Sequence, residues 1–219
     1  MSKSGHNKTD EVAITCFDLP QTETMSFWVG TEEGSIWHSH RHDRAGVKAG
    51  IDQNEIYTGH SAPINSLNFH PMFRSTNANS NDFTDLFLTS SIDWTVKLWS
   101  IKGGHIHKPL MTFNEHTDCV YDARWHPLHP GVFGSVDGAG EFKLWNLNVD
   151  TEVPVSTASP SSRAINKLAW DRKDGRKAAL GSSDGVLYIY DIGDQALLRS
   201  GSVEWDEFQT VINHMNKVN

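Results

Sequence analysis

Cysteine is scarce: Cys16 and Cys119 are the only two in 219 residues. Two thiols so far apart in sequence make neither a disulfide framework nor a thiolate zinc site, and their scarcity fits a reducing compartment. Basic residues are also short, with 19 Lys and Arg against 27 Asp and Glu and a formal net charge of -8. A chain of that sign is repelled by phosphate backbones and anionic membrane surfaces, so neither nucleic acid nor a membrane is an expected partner. No run approaches the roughly 18 consecutive apolar residues of a spanning helix. Met1 to Asp10 is polar and holds no apolar signal region. Nucleophile elbows, phosphate-cradling glycine loops and zinc-protease helices are missing as well. What remains is an ordinary globular composition, 37% hydrophobic and 10% aromatic, sufficient to bury a core.

The chain repeats itself. Ser91-Ile92-Asp93-Trp94-Thr95-Val96-Lys97-Leu98-Trp99 returns, altered, as Ser135-Val136-Asp137-Gly138 running into Phe142-Lys143-Leu144-Trp145, and again between Asp184 and Tyr190. Aligned on the acidic turn residue, the copies are Gly30-Thr31-Glu32-Glu33, Ser90-Ser91-Ile92-Asp93, Gly134-Ser135-Val136-Asp137 and Gly181-Ser182-Ser183-Asp184. Their acidic positions lie 60, 44 and 47 residues apart. A unit of roughly 40 to 45 residues with four short strands is the signature of a WD-type propeller blade. The expected fold is therefore all-β, with about four blades at residues 12–58, 59–114, 115–158 and 159–202 after a polar segment at 1–11. WD propellers usually close with more blades, about seven, so four are expected to be part of a larger ring and to leave open edges.

Within the second unit, alternating Ile64, Leu67 and Phe69 stop at His70-Pro71, Leu86 to Ser90 forms an apolar inner strand, and Val96 to Trp99 follows the turn. The third unit replays this plan, with a fourth strand expected near Glu152 to Thr157, and the last unit closes at Ala196 to Arg199, sixteen strands in all. Met72 to Asp85 and His40 to Asn54 read as surface loops. Trp205, Phe208, Ile212 and Met215 share a helical face, predicting an amphipathic helix over about 203–217 that packs on the last blade or offers Trp205 and Phe208 to a partner.

His60, a Ser or Thr before the turn (Ser91), Asp93 and Trp99 are the types from which a buried hydrogen-bonded chain pins a turn to a strand, provided every member is satisfied. His116, Ser135, Asp137 and Trp145 offer the same set, although Asp137 to Trp145 is two residues longer than Asp93 to Trp99, which predicts a bulged turn. The fourth unit has Asp184 but Tyr190 in place of Trp and no matching His. These residues are structural in this reading, and no catalytic residue or cofactor is assigned. The one enzyme-class pattern is His38, His40 and His42, which alternate along a strand and would share one face for a metal, though without a carboxylate at matching spacing. Trp94 replaces the glycine expected after Asp93 and is either a contact anchor or a cover over a neighbouring blade.

Some stretches are more specific than a generic repeat. Leu88-Thr89-Ser90-Ser91-Ile92-Asp93-Trp94-Thr95-Val96-Lys97-Leu98-Trp99, Val136-Asp137-Gly138-Ala139-Gly140, and Leu144-Trp145-Asn146-Leu147-Asn148 with Asp150-Thr151-Glu152-Val153-Pro154 resemble the C-terminal WD domain of the dynein intermediate chain family, in particular the cytoplasmic form. Gly30-Thr31-Glu32-Glu33-Gly34-Ser35 and Glu204-Trp205-Asp206-Glu207-Phe208 agree, and the resemblance extends from about Ile14 to the end of the chain. It implies a non-catalytic scaffold that holds the dynein heavy chain in a cytoplasmic, microtubule-associated motor, with microtubules reached only indirectly. In that family the light chains and dynactin are engaged by an N-terminal region with no counterpart in these motifs. The competing reading is another acidic WD scaffold, presenting histone tails or ubiquitin-ligase substrates.

Overall fold

A computed structural model describes residues 12–21, 25–40, 56–71, 82–102, 107–193 and 202–218. Fifteen strands and one helix lie among them. Blade 1 is the antiparallel sheet β1 (Ile14–Asp18), β2 (Ser26–Thr31), β3 (Ser35–His40) and β4 (Ile56–Thr58). Blade 2 is β5 (Ile64–Phe69), β6 (Leu86–Ser91), β7 (Val96–Ser100) and β8 (Met111–Phe113). Blade 3 follows with β9 (Val120–Trp125), β10 (Val132–Asp137), β11 (Phe142–Asn146) and β12 (Ser156–Ala158), and blade 4 with β13 (Ile165–Trp170), β14 (Lys177–Ser182) and β15 (Leu187–Asp191). Strands neighbouring in sequence neighbour in space, as up-and-down blades require. The result is an open partial propeller. The fourth strand of blade 3 is β12, later and shorter than the expected 152–157, and the expected strand at 196–199 lies outside the described residues, as do residues 1–11.

The blades stack through one repeated contact. β5 packs on β1 and β2, β9 on β5 and β6, and β13 on β9 and β10, so the innermost strand of each blade is the element inserted against its predecessor. Every innermost strand carries a bulge near its start, between Ile14 and Cys16, Ile64 and Ser66, and Ile165 and Lys167, with β9 irregular at the matching end. Side chains of one innermost strand then accept backbone N–H groups of the next: Asp18 from Phe69 at 2.8 Å, Asn68 from Trp125 at 2.9 Å and Asp122 from Leu168 at 3.2 Å. Asp122 is buried and Asp18 and Asn68 are half-buried, which is favourable because each is satisfied.

Two histidines latch the blades at the other end of these strands. The ring of His70 donates from Nε2 to the Pro130 carbonyl at 2.9 Å, and that of His126 to the Gly175 carbonyl at 2.9 Å, so blade 2 is tied to blade 3 and blade 3 to blade 4. His126 Nδ1 accepts the N–H groups of Leu128 and His129, both at 3.1 Å, which fixes the neutral tautomer. Burial holds both imidazoles far below their ordinary value, to about 4 in each case.

The helix α1 (Ser202–Val218) does not pack on the last blade as its sequence position suggests. Phe208, Ile212 and Met215 enter the largest core cluster, beside Phe83, Leu98, Trp125 and Trp145 of blades 2 and 3. Glu204 accepts from His129 Nδ1 at 2.9 Å, and its carbonyl accepts from Asn148 Nδ2 at 3.1 Å, so the first turn of the helix is held by blade 3.

Candidate functional site

The turn side of blade 2 holds a continuous hydrogen-bonded chain. Trp99 Nε1 can only donate, and does so to Thr89 Oγ1 at 2.8 Å. The Thr89 hydroxyl, having accepted, has its own proton for His60 Nε2 at 2.7 Å. The imidazole proton therefore sits on Nδ1 and is donated to Asp93 Oδ2 at 2.9 Å. Asp93 also accepts from the Ser61 N–H at 3.0 Å and, through Oδ1, from the Thr95 hydroxyl at 2.6 Å. Burial pushes the Asp93 carboxyl up, but the His60 hydrogen bond and the donors of Thr95 and Ser61 outweigh it and hold the group well below the usual carboxylate range. Burial dominates at His60 and lowers its value, so the pair is a neutral imidazole against a carboxylate.

The hydroxyl in this chain is Thr89 and not Ser91. Ser91 instead donates to the Ala62 carbonyl at 3.0 Å and accepts the Asp93 N–H at 3.1 Å, bracing the turn itself. The reason is position along the strand: Thr89 lies ten residues before Trp99, on the same face of the sheet, and pairs with Leu67 and Lys97 across the ladder. Ser91 shares that face but stands at the strand end, level with the turn rather than beneath the ring.

Blade 3 builds the equivalent chain with Trp145 Nε1 on Ser135 Oγ at 2.9 Å, Ser135 on His116 Nε2 at 2.8 Å and His116 Nδ1 on Asp137 Oδ2 at 2.8 Å. The expected bulge in its turn is absent. Val136 pairs with Phe142 as Ser90 pairs with Val96, so both turns have the same length. Asp137 consequently occupies the position of Ser91, with Ala139 where Asp93 would be; the carboxylate has moved two residues back along the strand and reaches the imidazole from there. Aligning the repeats on their acidic residues therefore misplaces blade 3 by two. Blades 1 and 4 have Val29 and Leu180 at the hydroxyl position and Ser39 and Tyr190 at the tryptophan position, and neither builds the chain.

Trp94 stands at the fourth residue of the turn with φ 69°, where the other three blades place Gly34 at 81°, Gly140 at 83° and Gly185 at 83°. A side chain in this left-handed region costs about 1–2 kcal/mol that glycine avoids. Its ring is 51% exposed beside exposed Ile92, and its indole reaches the Cys119 thiol of blade 3. It is at once a cover and a surface group. Phe208, by contrast, is wholly inside the chain's own core, and Trp205 is half-buried and stacked on Phe83 with ring centroids 5.5 Å apart. Phe208 is thus corrected from a partner contact to a core residue, because α1 turns its apolar stripe inward.

His38 and His40 do share a face, their rings 4.5 Å apart, but His38 is stacked on Trp28 and His40 Nδ1 bonds Ser26 Oγ at 3.0 Å. His42 lies outside the described residues, among which no three His, Cys, Asp or Glu side chains converge on a metal position. No described helix is long and apolar enough to cross a membrane. A groove of about 590 Å³ opens at the far ends of the innermost strands, lined by Asp18, Arg124, Trp170 and Arg172, with the Arg124 Nε turned onto Asp122 at 2.9 Å.

Comparison with known proteins is consistent with this geometry. The model of the WD domain, G-beta repeat, matches residues 52–100 and 107–146, the stretches that hold the two hydrogen-bonded chains. Over 208 residues, 94% of the chain, the sequence is 39% identical to the cytoplasmic dynein 1 intermediate chain of Drosophila melanogaster. The chain thus carries WD repeats and is similar to a dynein intermediate chain over nearly its whole length. It spans 29% of the length of that relative. The sites recognisable from sequence are the two chains that lie within blades 2 and 3, whereas the inter-blade latches His70 and His126 carry a fainter signal, the His-Pro pair that follows an innermost strand in both blades.

Proposed function

We propose that this chain is a member of the dynein intermediate chain family and a non-catalytic scaffold subunit of the cytoplasmic dynein motor, binding the heavy chain and supporting microtubule-based transport in the cytoplasm. The observation that carries the reading is 39% identity over 94% of the chain. The chemistry of the described residues supports a holding role. The buried histidines and carboxylates are spent on one another and on backbone groups, with His60, Asp93, His116 and Asp137 all committed within their own blades. Trp94 is the contact residue we assign to the heavy chain, since a strained, half-exposed tryptophan stands where three sister turns carry glycine.

The test is affinity capture of the tagged chain from cell extract, with mass spectrometry of what is bound. Dynein heavy chain is expected with the wild type and reduced at least about tenfold with Trp94→Ala, the loss of a central aromatic anchor being worth 1–2 kcal/mol or more. A folded chain that brings down histone or ligase components without heavy chain refutes the motor reading.

A further inference from the structure

The two ends of the strands differ in charge. On the side of the tight turns, Asp93 is committed to His60 and Glu141 to Lys143 at 2.8 Å, while Glu32, Glu33, Glu115, Asp118 and Asp184 are exposed or half-exposed. Among the described residues the turns and connections on that side hold a single lysine or arginine, Arg163; Lys97 and Lys143 of the adjoining strands are buried. At the opposite ends the connections mix both signs, with Lys102, Lys108, Arg172, Lys173 and Arg176 among the carboxylates. Trp94 and Ile92, 51% and 40% exposed, stand on the acidic side at the seam of blades 2 and 3, each of which has a neighbouring blade on both sides within the chain. The indole N–H is already taken up by the Cys119 thiol, and Asp118 accepts the Cys119 N–H at 2.7 Å. What Trp94 offers to solvent is therefore the π face of its ring, with a carboxylate one residue from the thiol it touches.

Resting on the heavy-chain reading above, we propose that this face receives a Lys- and Arg-rich segment of the heavy chain, one cation of which stacks on the Trp94 ring and pairs with Asp118. A cation within about 6 Å of an indole face is attracted by the ring's quadrupole. The carboxylates around it add to that attraction. An apolar partner seated on Trp94 and Ile92 would instead bury Asp118 with no compensating charge, and an acidic one would be set against like charges. Carboxylates gathered on one side of the molecule also steer a basic segment toward it, an effect that salt screens.

The test is binding of a purified heavy-chain tail fragment to the purified 219-residue chain by surface plasmon resonance, at ionic strengths from about 0.05 to about 0.5 M. Affinity is expected to fall at least about tenfold across that range, mostly through slower association. The double variant Glu115→Gln, Asp118→Asn should weaken binding about tenfold and flatten the salt dependence. Asp150→Asn with Glu152→Gln removes the same charge at the opposite ends of the strands and should change neither. Trp94→Phe keeps a π face and should bind several-fold more tightly than Trp94→Leu. All these side chains are exposed or half-exposed, so circular dichroism should be unaltered throughout. A tail held equally at every salt concentration, equal losses from the two charge variants, or Trp94→Leu binding as well as Trp94→Phe would each overturn the basic segment while leaving heavy-chain binding in place. A folded wild type that binds no tail at any ionic strength overturns both.

Discussion

Replacing Thr89 by Val removes one hydroxyl and little else, and the structure sets what that costs. Thr89 is fully buried, and its hydroxyl accepts from Trp99 Nε1 and donates to His60 Nε2. Valine has nearly the same shape, so packing is kept while a buried indole N–H and a buried imidazole nitrogen both lose their partner. At about 1–3 kcal/mol for each orphaned group, the loss in stability should be near 4 kcal/mol. Thr89→Ser keeps the hydroxyl, as Ser135 does in blade 3, and should cost only about 1 kcal/mol for the missing methyl. Ser91→Ala should cost about 1–2 kcal/mol, since it touches only the bonds to Ala62 and Asp93. Urea unfolding followed by circular dichroism gives the three values, and hydrogen exchange of the Trp99 indole proton reads the bond itself. If Thr89→Val unfolds within about 1 kcal/mol of the wild type and the indole proton stays protected, the reasoning about a continuous buried chain is wrong.

Acid should loosen the blade stack before it titrates most carboxylates. His70 and His126 are neutral when folded down to about 4 but take up a proton when unfolded below their ordinary 6.5, so their stability contribution is complete above that value and is lost as pH falls from 6.5 toward 4. Each should cost about 2 kcal/mol by pH 5, visible as a falling urea midpoint; a midpoint unchanged between pH 7 and 5 would contradict the latch. Gly175→Ala should destabilise by at least about 2 kcal/mol, because the backbone there has φ 69° and a Cβ would lie 2.4 Å from the His126 ring; thermal unfolding measures it. Phe208→Ala should cost about 3–5 kcal/mol as a core truncation, while heavy-chain capture by the fraction that remains folded stays near wild type; selective loss of capture without loss of stability would restore it as a contact.

Much of the fold is legible in residues, because many strands announce themselves by alternation or by a short apolar run and each blade by a turn between two such runs. Val96-Lys97-Leu98-Trp99 and Phe142-Lys143-Leu144-Trp145 locate β7 and β11 without ambiguity. What misleads is the acidic turn residue. Asp93 and Asp137 look equivalent, yet only the ladder register shows that the second sits at the strand end, where Ser91 stands in blade 2. Likewise Ser91 is nearer Asp93 in sequence than Thr89 is, but distance along the chain says nothing of which hydroxyl lies beneath the indole. The helix is visible from its stripe of Trp205, Phe208, Ile212 and Met215. Its destination is not, since a stripe specifies a face to bury and not the surface that buries it. The strain at Trp94 is half legible: glycine is expected there, but only the backbone angle shows that tryptophan occupies the same left-handed conformation rather than a different turn.

Heavy-chain binding by the chain itself is the property that most directly decides its role. Purified 219-residue protein and a purified tail fragment of the cytoplasmic dynein heavy chain, mixed and passed over a sizing column, should co-elute as one complex, and Trp94→Ala of unchanged circular dichroism should elute apart from the tail. Folded wild-type protein eluting separately from the heavy-chain tail at every concentration would contradict the scaffold reading, whatever else the blades hold together.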